Sequence, residues 1–96
     1  MFQVYILHSE KLNRFYIGFT ENFEIRLEFH LDKSQSRKFT YNAGDWKLFF
    51  KINCASKDQA LKIEKHIKSM KSKVYVQNLK IYPEIVNKLL TQYSDG

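Results

Sequence analysis

The pattern of hydrophobic residues predicts a small α/β domain. It combines a three-stranded, mostly antiparallel sheet with flanking helices, in the order β-β-α-β-α with a C-terminal helical tail. Three observations lead there. Two runs rich in β-branched and aromatic residues, 2–7 and 14–19, are separated by a polar stretch of hairpin length. A third such run, "WKLFFKIN" at 46–53, stands between two segments of helical period. Helix-opening signals then follow at Ser56 and Pro83. A sheet this small has to bury a face, and helices are the elements at hand to cover it.

Each element has its own local reason. In the hairpin, residues 8–13 supply the polar loop, and Gly18 inside the second strand marks a bend or a close backbone approach. Thr20 or Asn22 can cap a first helix, whose opening turns carry Glu21 and Glu24. Phe23, Leu27 and Leu31 form its apolar stripe, with Arg26 and His30 along one edge. Residues 32–45 are polar and read as a loop. After the third strand, Ser56 with Gln59 is a capping box opening a helix that runs to about Met70. Ala60, Ile63, Ile67 and Met70 are expected on its buried face, with Glu64 at the border beside Lys68 and Lys71. Residues 74–79 are compatible with a further helix. Pro83 suits the first turn of a last one, with Ile85, Val86, Leu89, Leu90 and Tyr93 turned inward.

Composition narrows the class. Ninety-six residues suffice for one domain, 1–96, with a single modest core. Hydrophobic residues at 44% and aromatics at 16% exclude a disordered chain. No apolar run approaches the roughly 20 residues that span a bilayer. The N-terminus does not read as a secretory signal, and a lone cysteine, Cys54, argues against a disulfide framework. A reducing cytoplasm is the expected location. Cys54 itself reads as a small buried residue at a strand end. The histidines and Cys54 show no metal-ligand spacing. A formal charge of +6 favours a polyanionic partner without identifying one. Lysines crowd the second half of the chain, and Lys68, Lys71 and Lys73 are the candidates for tracking a nucleic-acid backbone. Tyr41 and Trp46 could stack on bases, although Trp46 reads better as core.

The order of certain residues carries more than composition does. Gln3-Val4-Tyr5 lies in the first strand, and Tyr16-Ile17-Gly18 in the second, with ten residues between the tyrosines. "RLEFH" supplies Arg26 and His30, and "ALKIEKHIK" supplies Glu64. Taken singly, the tyrosines read as sheet aromatics, Arg26 as a solvated helix residue, and Glu64 as the partner of Lys68 in a surface ion pair. Taken together, the set resembles the GIY-YIG nuclease family over nearly the whole chain. The match is to its small single-domain bacterial type, similar to the nuclease domain of the excinuclease C subunit. Gln3 and Val4 depart from the first motif, where the family has glycine and isoleucine.

The resemblance implies a metal-dependent endonuclease that hydrolyses DNA phosphodiester bonds, branched or damaged DNA being candidate substrates. Such hydrolysis needs an activated water, stabilised charge on the phosphoryl oxygens and help for the leaving oxygen. Tyr5 is then the candidate general base, with Tyr16 and His30 ordering the water or relaying its proton. Arg26 offers a planar fork to a phosphate. Glu64 would hold one Mg²⁺, or Mn²⁺ in its place, because Mg²⁺ needs only one or two protein carboxylates. The alternative is a nucleic-acid-binding module that keeps the fold with little or no catalysis.

Overall fold

A computed structural model describes residues 2–21 and 45–94. The expected first helix and the loop after it, with Arg26, His30 and Tyr41, lie outside the described residues. Three strands form the sheet: β1 (Phe2–Ser9), β2 (Arg14–Thr20) and β3 (Lys47–Cys54). Their spatial order is β2-β1-β3 and both pairings are antiparallel. Three helices follow: α1 (Lys57–Met70), α2 (Lys73–Ile81) and α3 (Pro83–Gln92). The α/β sheet-and-helix architecture expected from the sequence is the one observed.

β1 is the central strand, and both of its faces are covered. Val4, Tyr5, Ile6 and Leu7 are all at most 2% exposed. Successive side chains point to opposite faces of a strand, so this run divides between two clusters. Val4 and Ile6 join Ile52, Ala60, Ile63 and Ile67 in the main core under α1. Tyr5 and Leu7 meet Trp46 and Tyr16 on the other face. Trp46 is 4% exposed and belongs to the core, as its sequence context indicated.

The hairpin is tighter than the sequence predicts. β1 runs on through His8 and Ser9, which pair with Phe15 and Arg14, leaving residues 10–13 to turn the chain. Ser9 extends the strand because its hydroxyl has a job at the turn. It donates to Asp45 Oδ1 at 2.6 Å and accepts from the Leu12 N–H at 3.2 Å. Asn13 closes the turn in the left-handed conformation, φ 51°.

α1 begins at the expected cap. The Ser56 hydroxyl accepts from the Gln59 N–H, while Gln59 Oε1 accepts from the Ala55 N–H at 2.7 Å. Buried Gln59 also donates through Nε2 to the Leu90 carbonyl of α3 at 2.9 Å. One amide thus ties the start of α1 to the last helix. The buried stripe runs through Ala60, Ile63 and Ile67, but Met70 is 44% exposed, contrary to expectation. Met70 is the final helical residue; Lys71, at φ 48°, then turns the chain into the left-handed region, so the stripe ends one step early. Ser72 caps α2 by accepting from the Tyr75 N–H, and Pro83 opens α3. Leu89 is buried in the main core, with Ile85, Val86, Leu90 and Tyr93 packed against it. Tyr93 Oη also meets His66 Nδ1 of α1 at 2.9 Å. Among the described residues no helix is long and apolar enough to cross a membrane.

Candidate active site

Tyr5 on the central strand faces Gly18 on the edge strand β2 in the register of the sheet. A Cβ placed on Gly18 would lie 2.5 Å from the Tyr5 hydroxyl and 2.6 Å from Cζ. The tyrosine ring therefore lies across the bare glycine backbone, and its hydroxyl reaches toward the sheet edge. Gly18 is present because of this close approach. Tyr16, two residues earlier, projects from the same face of β2. The two tyrosine rings are 6.2 Å apart, centroid to centroid, and Tyr16 meets Trp46 edge-on at 6.4 Å. Gln3, where the first motif departs from glycine, spends its side chain on β3: Nε2 donates to Asn53 Oδ1 at 2.8 Å.

Among the described residues β2 has no strand beyond it in the sheet, and an open cleft of ≈ 430 Å³ wraps this edge. Its walls are Arg14, Phe15, Tyr16, Ile17 and Trp46, together with Lys68 from α1. Tyr16 lines the cleft. Tyr5, 2% exposed, stands behind it. Lys68 connects this cleft to Glu64, because its ammonium lies 3.3 Å from Glu64 Oε1. The lysine side chain is half exposed, whereas that of Glu64 is only 18% exposed. A single turn of helix thus carries a sheltered carboxylate and a half-exposed cation, the latter lining the tyrosine cleft. The ion pair expected between them is present. It has the favourable orientation along a helix, with the acid N-terminal to the base.

A smaller cleft of ≈ 210 Å³ adjoins the first, sharing Arg14, Phe15, Ile17 and Lys68. Lys71, Lys73 and Val76 line its far end, so the lysines singled out in the sequence gather along one edge. On the opposite flank, the carboxylate of Asp45 holds the hairpin turn beside Trp46. It accepts from Ser9 and from the Lys11 N–H at 3.0 Å. The Ser9 bond, then the Lys11 bond, keep the Asp45 carboxyl below its ordinary range. Cys54 is buried, and desolvation pushes its thiol upward, away from the reactive thiolate.

Among the described residues no three His, Cys, Asp or Glu side chains gather as a metal site. Glu64 is the carboxylate joined to the cleft, through Lys68. A lone, partly sheltered carboxylate fits Mg²⁺, which keeps most of its waters and takes phosphate oxygens as ligands. Tyr16 and Lys68 line the cleft together, Tyr5 lies beside Tyr16, and Glu64 reaches the cleft only through its pair with Lys68. Arg14 was missed in the sequence, although it directly precedes the second motif; a basic residue at the start of an edge strand was the available signal. Ser9 and Asp45 were missed as well, being 36 residues apart.

A family model of the GIY-YIG catalytic domain matches residues 1–79. No curated protein and no solved structure matches the chain. The last helix, α3, lies beyond the matched residues and still packs on the same core.

Proposed function

We propose, on the premise that this chain belongs to the GIY-YIG family, that it is a metal-dependent endonuclease hydrolysing DNA phosphodiester bonds. The observation that carries the reading is the edge of β2. There a tyrosine is seated on Gly18, a second tyrosine lines a cleft, and Lys68 from the same cleft pairs with the carboxylate of Glu64, an arrangement that supports the reading.

Tyr16, in the cleft wall, orients the attacking water. Tyr5, behind it, would act as the base in its phenolate form: Tyr16 passes its hydroxyl proton to Tyr5 as it takes one from the water, so that Tyr5 ends as the neutral phenol, with His30 as the further member of that relay. Arg26 grips the scissile phosphate through its guanidinium fork, which matches two phosphate oxygens. Glu64 would hold one Mg²⁺, or Mn²⁺ in its place, which when bound would supply charge for the phosphoryl oxygens and acidify water. Lys68 pairs with Glu64, and its exposed end lines the same cleft as Lys71 and Lys73, where the nucleic-acid backbone would pass.

A binding module without catalysis is the second reading, and the Glu64–Lys68 ion pair favours it, since a paired carboxylate has no need of a metal. Incubation with supercoiled plasmid and with branched DNA, in Mg²⁺ or in EDTA, separates the two. We expect Mg²⁺-dependent cleavage that Glu64→Gln abolishes, with binding in EDTA near wild type. A folded Glu64→Gln protein that cuts as fast as wild type would sink the one-metal mechanism. Binding without cleavage by the wild type would establish the second reading.

A further inference from the structure

The two clefts share four lining residues, so they form one groove along the edge of β2. Among the described residues, four cations border it: Arg14 from β2, Lys68 from α1, Lys71 from the connection and Lys73 from α2. Among the described residues no carboxylate lines either part. Between the cations the partly exposed apolar lining is Phe15 and Ile17, over buried Ile67 and Val76, with the hydroxyl residue Ser72 at the lysine end. Arg14 stands where the two parts meet, since it borders both.

A row of cations beside an apolar strip suits a polyanion that also has flat apolar faces. Duplex DNA offers such a groove its phosphates but keeps its base faces stacked inside. An unpaired strand offers both at once, and proteins that hold single strands combine a basic groove with aromatic side chains on which bases stack; Phe15 and Tyr16 are the partly exposed aromatics of this lining. We propose that this groove seats a single-stranded stretch of DNA flanking the scissile phosphate. Arg14 holds the phosphate that passes from the tyrosine cleft to the lysine cleft. This assignment rests on the nuclease reading of the tyrosine cleft. It goes further in naming the strand state of the substrate and a contact residue, Arg14.

Fluorescence anisotropy in EDTA tests it without interference from cleavage. The probes are a labelled single strand, a blunt duplex and a duplex with a single-stranded overhang. The single strand and the overhang should bind more tightly than the blunt duplex. Each phosphate contact on a single strand contributes about 0.7 to the slope of log affinity against log salt, which is about fivefold in affinity at about 0.1 M salt. Arg14→Ala and Lys73→Ala should each weaken single-strand binding about fivefold and lower that slope by about 0.7. Lys88→Ala, exposed on α3 and outside the groove, should leave both unchanged. Blunt duplex bound as tightly as single strand would overturn the proposal, as would Arg14→Ala and Lys73→Ala proteins with wild-type affinity for the strand. A wild-type protein that prefers the single strand but cuts no DNA would remove the nuclease reading and leave the groove standing. Cleavage without any strand preference would do the reverse.

Discussion

Gly18→Ala puts the seat of Tyr5 to the test. The added methyl would meet Tyr5 Oη at 2.5 Å, Cζ at 2.6 Å and Cε1 at 3.1 Å. Ordinary carbon contacts lie near 3.5–4.0 Å, so the ring has to retreat by about 1 Å. It has little room to do so. Tyr5 is 2% exposed, and its strand is held by partners on both sides. Overpacking of this kind costs about 1–3 kcal/mol. Alanine in a strand recovers about 0.5–1 kcal/mol relative to glycine. The net loss should lie between about 0 and 2.5 kcal/mol, a Tm lower by up to roughly 20 °C for a domain of this size. Activity should fall further than stability, because a 1 Å displacement of a reacting group can cost about 10²-fold. Urea and thermal melts followed by circular dichroism measure the first effect. Plasmid relaxation in Mg²⁺, well below the variant's Tm, measures the second. Adding Tyr5→Phe to Gly18→Ala should restore little stability, since phenylalanine keeps the Cζ that stands at 2.6 Å. A Gly18→Ala protein with wild-type Tm and turnover would refute the seating of Tyr5 on Gly18.

Tyr5→Phe alone should reduce turnover strongly while leaving the fold and DNA binding nearly intact, because it removes only the hydroxyl; wild-type turnover would make His30 the next candidate for the base. Glu64→Gln should lower stability by roughly 0.2–0.5 kcal/mol through loss of its pair with Lys68, read from the urea midpoint, and a loss of several kcal/mol would give Glu64 a structural role instead. Asp45→Asn tests the latch on the hairpin turn through its pH dependence. The Asp45 carboxyl sits below its ordinary range in the fold, so its contribution is complete above about pH 4, the ordinary aspartate value, and is lost as pH falls through the lower folded value. The variant should therefore show a shallower loss of stability on the acid side, and an unchanged acid limb would remove Asp45 from the account.

Much of the fold was legible because it follows from near neighbours. The run Phe2–Ser9 alternates between two faces, and Ser56 with Gln59 and Pro83 announce two helix starts through groups within a turn of each other. Even so, Gln59 makes a bond to the Leu90 carbonyl that no local pattern could announce. Met70 continues the apolar period of α1, but the left-handed Lys71 ends the helix there, and a periodic pattern does not record where its covering runs out.

At the site, the motif residues Tyr5, Tyr16, Gly18 and Glu64 could be picked out in the sequence by their order, as could the pairing of Glu64 with Lys68 four residues on. Gly18 could be marked as a place of close approach, though not for which ring. The tertiary structure decided that it seats Tyr5, because strand register alone brings residues 5 and 18 opposite each other. It also decided that Tyr16 lines the cleft while Tyr5 stands behind it. Arg14 joins Lys71 and Lys73 only because α1 crosses the sheet to the edge of β2 and the chain then turns into α2. Ser9 and Asp45 likewise meet across 36 residues. Sequence patterns report hydrogen bonding and burial within a turn or a strand pair. Which side chains from separate elements share a cleft is set by how those elements pack, and that is an energy of the whole fold.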